Sequence, residues 1–428
     1  MDTIFALASA SGKAGVSVVR ISGEDAFQVV SKITGSSTKV RYVGLRKIQD
    51  LSGVTIDYGL VVSFKGPQSF TGEDVVELHL HGSNAVVASV LRLLGSFRSL
   101  RSAEPGEFTR RALENNKLDL AQVEGLADLI EAETEAQRSQ AFRVLSGDIG
   151  KKADIWRTDL LRSSALLEAT IDFADEDVPE DVTPEVIDII DKTLNSLTLA
   201  ASGVNIAERV RSGFEVAIVG APNVGKSSLL NRLAGREAAI TSEIAGTTRD
   251  VIEVKMDLDG LPVTFLDTAG LRPTSDAVET IGIAKALERA ALADLTLLIS
   301  EDGQVPEQAC LKKDDLLVLS KADVTGRDGA VSSITGQGID QLISNITRIL
   351  NKRSATVGVA TRERHRVALT KSIKNLEDAQ GKIKSGCTEI EFIAEDIRLS
   401  VLSLDALIGR VDVESVLDEI FSNFCLGK

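Results

Sequence analysis

Residues 215–233 read EVAIVGAPNVGKSSLLNRL, and this stretch decides the fold of the middle of the chain. Its apolar start predicts a β-strand, and its end predicts a helix. Between them, the glycine-rich loop 220–227 lets backbone N–H groups point at phosphate oxygens. In that loop Lys226 supplies positive charge to the terminal phosphates and Ser227 offers a hydroxyl to Mg²⁺. This order of strand, loop and helix predicts a P-loop nucleotide-binding domain.

Two further motifs follow in the order and spacing that a GTPase needs. The run 246–250, GTTRD, lies in a polar loop where a threonine can complete the Mg²⁺ shell and sense the γ-phosphate. Asp267 ends the apolar strand 263–266 and can hold the metal through water. The Gly270 N–H can bind the γ-phosphate, which couples the presence of that phosphate to the order of the loop.

The motif 320–323, SKAD, follows the apolar run 316–319 and predicts guanine recognition. A carboxylate at Asp323 can accept from the N1 and N2 hydrogens of guanine, a donor pair that adenine lacks. GTPases usually have Asn where this chain has Ser320, so we expect weaker guanine binding with the same choice of base. The later run 332–334 is predicted to contact the base as well.

Leu271 stands where Ras-like proteins have a Gln that positions the attacking water. Catalysis must therefore be supplied in another way. This absence, together with Asn223, resembles GTPases in which K⁺ takes the place of an arginine finger, held by the Asn223 side chain and by carbonyls of the loop 242–247. A fixed positive charge there stabilises the charge that develops on the transferring phosphoryl group.

These motifs define a full set of predicted nucleotide and metal contacts. The predicted GTP-binding residues are Asn223, Val224, Gly225, Lys226, Ser227, Ser228, Ser242, Glu243, Ile244, Ala245, Gly246, Thr247, Thr248, Asp267, Thr268, Ala269, Gly270, Ser320, Lys321, Ala322, Asp323, Ser332, Ser333 and Ile334. The predicted ligands are Ser227 and Thr248 for Mg²⁺, and Asn223, Ser242, Ile244 and Thr247 for K⁺.

The composition limits the class of protein. A net charge of -15 argues against a surface that binds nucleic acid over its whole extent, so any RNA contact must use a local basic patch. The cysteines Cys310, Cys387 and Cys425 lie far apart and have neither metal-ligand nor disulfide spacing, which favours a reducing cytoplasm. We find neither a secretory signal nor an apolar run long enough to span a bilayer, so we expect a soluble intracellular protein.

The organisation along the chain predicts a multidomain protein that combines α/β and all-α parts. Residues 1–117 alternate strand and helix signals and predict a small α/β domain. Residues 118–211 and 353–428 have helical spacing and predict one discontinuous helical domain, into which the GTPase domain 212–352 is inserted. We also predict a solvated acidic loop at 172–181. A last helix is expected to begin at Asp412 and run through Phe421.

Motifs outside the nucleotide domain are similar to those of the bacterial tRNA-modification GTPase family MnmE, also called TrmE. They are GVSVVRISG at 15–23, SFTGED at 69–74, PGEF at 105–108, NKLDLAQ at 116–122, AAI at 238–240 before 244–250, the tract 267–282, and the closing FCLGK at 424–428. The terminal Cys-x-Gly-Lys is the most family-specific of these, and the resemblance covers the whole chain.

The resemblance implies folate-dependent one-carbon chemistry, which the composition does not indicate. It implies a homodimer through the N-terminal domain, which binds 5-formyl-tetrahydrofolate or a related folate. Carried over by position, the folate ligands are Arg20, Glu77, Lys117 and Lys428. The alternation along the strand 75–81 independently places Glu77 on one face, with Leu78 on the other.

The resemblance also implies partners and catalytic groups. The family works with the FAD-dependent protein MnmG (GidA), in a heterotetramer, on the wobble uridine of certain tRNAs, where it installs a carboxymethylaminomethyl-type modification. Glu279 matches the family's catalytic glutamate, which can orient an attacking water through a second, bridging water. Cys425 is implied as a reactive thiol near the folate.

Other interpretations of these residues stay open at this point. Arg20 and Lys117 can be surface ion pairs, and Cys425 can be an ordinary free cysteine. Glu279 can be an acid at a helix start, which the helix dipole favours. The histidines His79 and His81 can bind metal, although no third ligand is evident. For the whole chain, the competing function is a regulatory ribosome-assembly GTPase of the Era or Der type, without one-carbon chemistry.

Overall fold

A computed structural model describes most of the chain as two compact units. It describes residues 2–172, 182–236, 238–240, 253–267, 291–305, 311–354, 358–385 and 389–411, together with Phe421, Phe424 and Gly427. One unit comprises residues 1–127 and 405–428, and the other comprises residues 128–404. The predicted domain boundaries at 117, 211 and 352 stay predictions.

The first unit is built on a six-stranded mixed sheet. Its strands are β1 (Thr3–Leu7), β2 (Ala14–Ser22), β3 (Gly44–Gln49), β4 (Thr55–Phe64), β5 (Val75–Gly82) and β6 (Leu100–Ser102). They lie in the order β3-β4-β5-β2-β1-β6, and all neighbours are antiparallel except β1 and β6. Its helices include α1 (Ala26–Thr34), α2 (Asn84–Gly95) and α3 (Glu107–Glu114), and α4 (Leu120–Glu131) begins there.

The two faces of this sheet differ, as alternation along the strands requires. The inner face buries side chains such as Val19 and Leu78 in a core with residues of α1 and α2. The outer face carries Arg20 of β2 directly opposite Glu77 of β5. The predicted alternation at Glu77 is therefore present, since Glu77 is half-buried while Leu78 is fully buried.

The second unit contains a helical layer and a second sheet. Within the described ranges its helices are α5 (Glu135–Leu145), α6 (Asp148–Asp172), α7 (Thr183–Ser202), α8 (Val204–Ser212), α9 (Lys226–Ala234), α10 (Ala322–Thr325), α11 (Ile339–Ser354) and α12 (Glu363–Lys384), and α13 (Ile390–Ile408) begins there. Helix α7 packs against α6 and α12. Across the described ranges, no helix is both long and apolar enough to cross a membrane.

The helical spacing predicted over 118–211 is interrupted near its start. Helix α4 ends at Glu131 and α5 begins at Glu135, because Thr134 caps α5 in a capping box with Gln137. The Thr-x-x-Gln spacing carries this signal in the sequence, but the apolar periodicity passes over it.

The second sheet has the order β11-β10-β7-β9-β8. Its strands are β7 (Phe214–Gly220), β8 (Glu253–Leu258), β9 (Leu261–Asp267), β10 (Leu295–Ser300) and β11 (Leu316–Leu319). The sheet is not parallel throughout, because β8 pairs antiparallel with β9 at one edge. Asp259 and Gly260 both have positive φ, 55° and 84°, as a two-residue hairpin turn requires.

The four remaining strands are parallel, so their carboxyl ends meet at one edge of the sheet. The loop 220–227 leaves β7 there, Asp267 ends β9, and the motif 320–323 follows β11. Ligands of open α/β sheets bind at this edge. The predicted combination of an N-terminal α/β part, a helical part and a P-loop GTPase insert is confirmed.

Candidate functional site

The phosphate-binding loop has the backbone geometry that its sequence predicts. Asn223 and Gly225 have φ of 64° and 104°, a region that Asn and Gly tolerate better than other residues. Gly220 is required for a steric reason, because a Cβ there would lie 2.4 Å from the carbonyl oxygen of Ile299. The loop therefore needs these residues to wrap between β7 and α9.

Lys226 lies at the start of α9 and turns back toward the loop. Its Nζ donates to the carbonyl oxygens of Gly220 and Ala221 at 2.7 and 2.8 Å. Burial lowers the pKa of Lys226, and the charge of Asp267 opposes this shift. The ammonium is thus kept beside the loop that the sequence assigns to phosphate.

Ser227, in the first turn of α9, and Asp267, at the end of β9, meet directly. The Ser227 hydroxyl donates to Asp267 Oδ2 at 2.7 Å, and Asp267 is almost fully buried at the end of β9. A hydroxyl and a carboxylate are hard oxygen donors of the kind that Mg²⁺ accepts. The two residues therefore fit the metal position predicted for them, and no cluster of three or more His, Cys, Asp or Glu side chains suited to a metal occurs within the described ranges.

The base-recognition motif lies beside the second predicted base loop. Val331 N donates to Leu319 O at 2.7 Å, and Ala322 N donates to Val331 O at 3.1 Å, so the two segments are tied together. The Asp323 side chain is exposed at this edge. These contacts bring the predicted residues Ala322 and Asp323 next to the loop 332–334.

Ser320 and Lys321 make contacts that the sequence does not predict. The buried Ser320 hydroxyl lies 3.4 Å from Ser300 O at the end of β10, so it braces the sheet edge. Lys321 has a φ of 57° and its Nζ forms an ion pair with Glu301. The sequence does not indicate that Glu301 pairs with Lys321, because this ion pair forms only when β10 lies next to β11 in the sheet.

Several predicted site residues lie outside the described residues. They are Ser242, Glu243, Ile244, Ala245, Gly246, Thr247, Thr248, Thr268, Ala269, Gly270, Glu279, Cys425 and Lys428. The predicted acidic loop falls almost entirely outside them, as does the helix predicted to begin at Asp412. The K⁺ loop and the catalytic role of Glu279 therefore stay predictions.

The first unit holds a second polar site on the outer face of its sheet. Arg20 and Glu77 form an ion pair of 2.9 Å, and each side chain is about one-fifth exposed, at 20% and 19%. The Arg20 guanidinium also lies 5.2 Å from the ring centre of Phe70 and 5.7 Å from that of Phe108. Arg20 is thus part of a half-buried pair stacked on aromatic rings, which distinguishes it from an ordinary surface ion pair.

The C-terminal stretch reaches the same pair. Arg20 Nη1 donates to the carbonyl oxygen of Gly427 at 3.5 Å. A Cβ at Gly427 would lie 2.0 Å from Leu7 O, so this position accepts only glycine. Upstream, Phe421 and Phe424 form a small buried cluster with Val123. Close contact with the backbone of β1 therefore explains why the terminal motif has a glycine at position 427.

Lys117 and the two histidines occupy different surroundings. Lys117 is exposed, and a Cβ at Gly72 would lie 3.3 Å from Lys117 Cε. His81 Nδ1 lies 2.8 Å from Asp57 Oδ1, which holds this histidine against β4. His79 Nε2 lies 3.5 Å from Glu77 Oε2. The histidines thus have separate carboxylate partners, which does not favour a shared metal.

Comparison with known proteins completes the assignment. The family model "GTP-binding protein TrmE N-terminus" matches residues 3–117, and "MnmE helical domain" matches residues 120–425, more than half of the chain. The chain belongs to the MnmE family of tRNA modification GTPases. As a member of this family it binds and hydrolyses GTP, and the family match does not favour the Era or Der alternative.

Full-length relatives agree with the MnmE assignment. The "tRNA modification GTPase MnmE" of Dinoroseobacter shibae is 56% identical over 100% of both chains, and that of one strain of Cereibacter sphaeroides is 57% identical over 100% of both. A solved structure of Aquifex aeolicus Era bound to GDP and AlF4- matches 31% of this chain and 56% of its own, at 28% identity. The TM-score of this match is 0.25.

Proposed function

We propose that this chain couples K⁺-assisted GTP hydrolysis to one-carbon chemistry on the wobble uridine of tRNA. In this proposal two copies of the chain form a homodimer, and the homodimer acts together with the FAD-dependent partner MnmG (GidA). The one-carbon donor is 5-formyl-tetrahydrofolate or a related folate. Membership of a tRNA modification family supports the tRNA part. Folate binding is supported most directly by the half-buried ion pair of Arg20 and Glu77. The pair has charged groups, aromatic neighbours and a contact with Gly427, and this combination suits a flat heteroaromatic ligand.

The nucleotide part rests on the loop 220–227 and the end of β9. Lys226 would meet the terminal phosphates, while Ser227 would hold Mg²⁺ directly and Asp267 would hold it through water. The Asn223 side chain would hold K⁺ together with the loop 242–247. Bound there, the two cations supply positive charge where negative charge develops on the transferring phosphoryl group.

The folate part rests on groups that match the ligand's polar edge. The Glu77 carboxylate can accept from the pterin N–H groups, and Phe70 and Phe108 flank the Arg20 guanidinium at this site. His79 Nε2 is buried, lies 3.5 Å from Glu77 Oε2 and makes no hydrogen bond within the described residues, so it can donate to or accept from a ligand bound beside Glu77. Lys117 and Lys428 are proposed as further ligands, with Cys425 as a nearby thiol; the contact of Gly427 with Arg20 supports a role for the tail.

The dimer part is supported by the open half of the same outer face. Toward β3, this face exposes Leu45, Tyr58 and Leu60 at 63%, 55% and 43%, and Val16 of β2 at 56%. Leu45 and Leu60 are cross-strand partners, and Leu60 is paired with His79, so this apolar area is continuous with the folate pair. A contiguous apolar area of this kind is typical of an interface, and we assign it to a second copy of this chain.

A folate titration tests the one-carbon part directly. Arg20→Gln should weaken binding of 5-formyl-tetrahydrofolate by roughly tenfold or more, because it removes a charge-assisted contact worth about 1.5–3 kcal/mol. Isothermal titration of the whole chain measures this. Arg92→Gln, which removes an exposed charge on α2, is the matched control and should bind as the unmodified chain does. Equal loss in both variants, or no folate binding at all, would remove the folate from the proposal.

The proposed role of Glu279 predicts a specific kinetic defect. A carboxylate that orients the attacking water through a second water acts only on the chemical step, so Glu279→Ala should lose about tenfold or more in turnover, a barrier change of at least about 1.4 kcal/mol. GTP affinity should be nearly unchanged. Single-turnover hydrolysis and nucleotide titration separate the two quantities. Unchanged turnover with a small loss of stability would instead assign Glu279 to a helix start.

A further inference from the structure

The loop 69–74 between β4 and β5 is fixed by a chain of hydroxyl and carboxylate groups. Ser22 Oγ, on the outer face of β2, donates to Glu73 Oε2 at 2.7 Å. Because a hydroxyl has one hydrogen, the 2.7 Å contact between Ser22 Oγ and Thr71 Oγ1 must have Thr71 as donor. Glu73 N then donates to Thr71 Oγ1 at 3.2 Å. All three residues thus have fixed roles as donors and acceptors.

Arg111, in the last turn of α3, and Asn115, which caps that helix, hold the loop from its other side. Arg111 Nη1 donates to Glu73 Oε1 and Oε2 at 3.0 and 3.1 Å, and Arg111 is buried. Asn115 Nδ2 donates to Thr71 O at 2.7 Å. Truncating one member of a buried charged network leaves its partners unsatisfied, so each contact here constrains the loop strongly.

The fixed loop presents two of its residues to the proposed folate ligands. Phe70 lies with its ring centre 5.2 Å from the Arg20 guanidinium carbon. Gly72 has a φ of 82° and lies against Asn115 and Lys117, so a side chain at this position would be strained. The Glu73 carboxylate itself contacts Ser22 and Arg111 rather than Arg20.

We propose that Glu73 is a positioning residue of the folate site, which sets the loop 69–74 so that Phe70 lies over Arg20. Groups that orient ligand-binding residues in this way govern affinity without touching the ligand. The inference rests on the proposed folate function. It adds Glu73, which is not one of the predicted folate ligands.

A double-mutant cycle with 5-formyl-tetrahydrofolate tests the role. Glu73→Gln keeps the shape of the side chain but removes its charge, and it should weaken folate binding by roughly tenfold, equivalent to about 1.4 kcal/mol. In a Phe70→Ala background the same substitution should change folate affinity by less than about twofold, because Glu73 acts on the ligand through Phe70. Titrations are run on the whole chain at a temperature where thermal melts find every variant folded.

Glu107→Gln is the matched control, since Glu107 also accepts from Arg111, at 2.9 Å, but sits on α3 away from the loop. It should lower the melting temperature and leave folate affinity within about twofold. Equal loss of affinity in Glu73→Gln and Glu107→Gln would overturn the positioning role, as would unchanged binding in Glu73→Gln. Absence of folate binding in the unmodified chain would overturn this inference together with the folate part of the proposed function.

Discussion

Asp323→Asn is expected to lower GTP affinity by on the order of a hundredfold and to raise affinity for xanthosine triphosphate. In the proposed base site the Asp323 carboxylate accepts from two guanine N–H groups, and charge-assisted hydrogen bonds contribute about 1.5–3 kcal/mol each. Xanthine carries an oxygen in place of the guanine amino group, so an amide that donates suits it better. Competition titrations with labelled nucleotides measure both affinities.

Asp328→Asn is the control for this change, because Asp328 is an exposed carboxylate close by in the chain. Its nucleotide preference should equal that of the unmodified chain. GTP and ATP binding with equal affinity in the unmodified chain would contradict the base assignment. A shift toward xanthine in both variants would mean that the general charge of the region, rather than Asp323, selects the base.

Replacing K⁺ by Na⁺ at constant ionic strength should lower GTP turnover by roughly a hundredfold. No Gln follows Gly270, so in the proposed mechanism a K⁺ held by Asn223 stabilises the transition state. Removing one such preorganised charge costs about 10²–10³ in rate. Na⁺ is smaller and fits the same ligands less well. Steady-state phosphate release across a series of monovalent salts measures the effect.

Asn223→Gly is the informative variant for the cation site. Because Asn223 has a φ of 64°, an alanine there would add backbone strain, whereas glycine adopts this conformation freely. The glycine variant should hydrolyse GTP slowly and at equal rates in K⁺ and Na⁺. Persistent K⁺ dependence in it would assign the cation to other ligands, and equal rates in the unmodified chain would exclude the site.

Local signals predicted the nucleotide sheet well. The strand, loop and helix around Lys226 are adjacent in sequence, so their geometry follows from glycine placement and apolar patterning alone. The motif after β11 and the alternation around Glu77 are local in the same sense. The Asp259–Gly260 hairpin and the Thr134 cap were also locally encoded, but each is a short signal inside a longer periodic stretch, and the longer pattern masked it.

The remaining features depend on residues that are far apart in sequence. Arg20 and Gly427 are 407 positions apart, and the contact between them depends on how the tail packs on β1. The ion pair of Lys321 with Glu301 depends on β10 lying next to β11. Patterns within one segment do not contain such information, which is why the aromatic stacking on Arg20 was also not predicted.

Reconstitution of the modification tests the central claim most directly. Unmodified tRNA is incubated with the chain, MnmG, a folate one-carbon donor at the methylene oxidation level, glycine as the source of the carboxymethylamino group, and GTP in K⁺ buffer. The wobble nucleoside is then identified by mass spectrometry after digestion. We expect the modified uridine only when GTP, folate and K⁺ are all present, and a strong loss with Arg20→Gln. Equal modification without hydrolysable GTP, or without any folate, would contradict the coupling of the two activities in this chain.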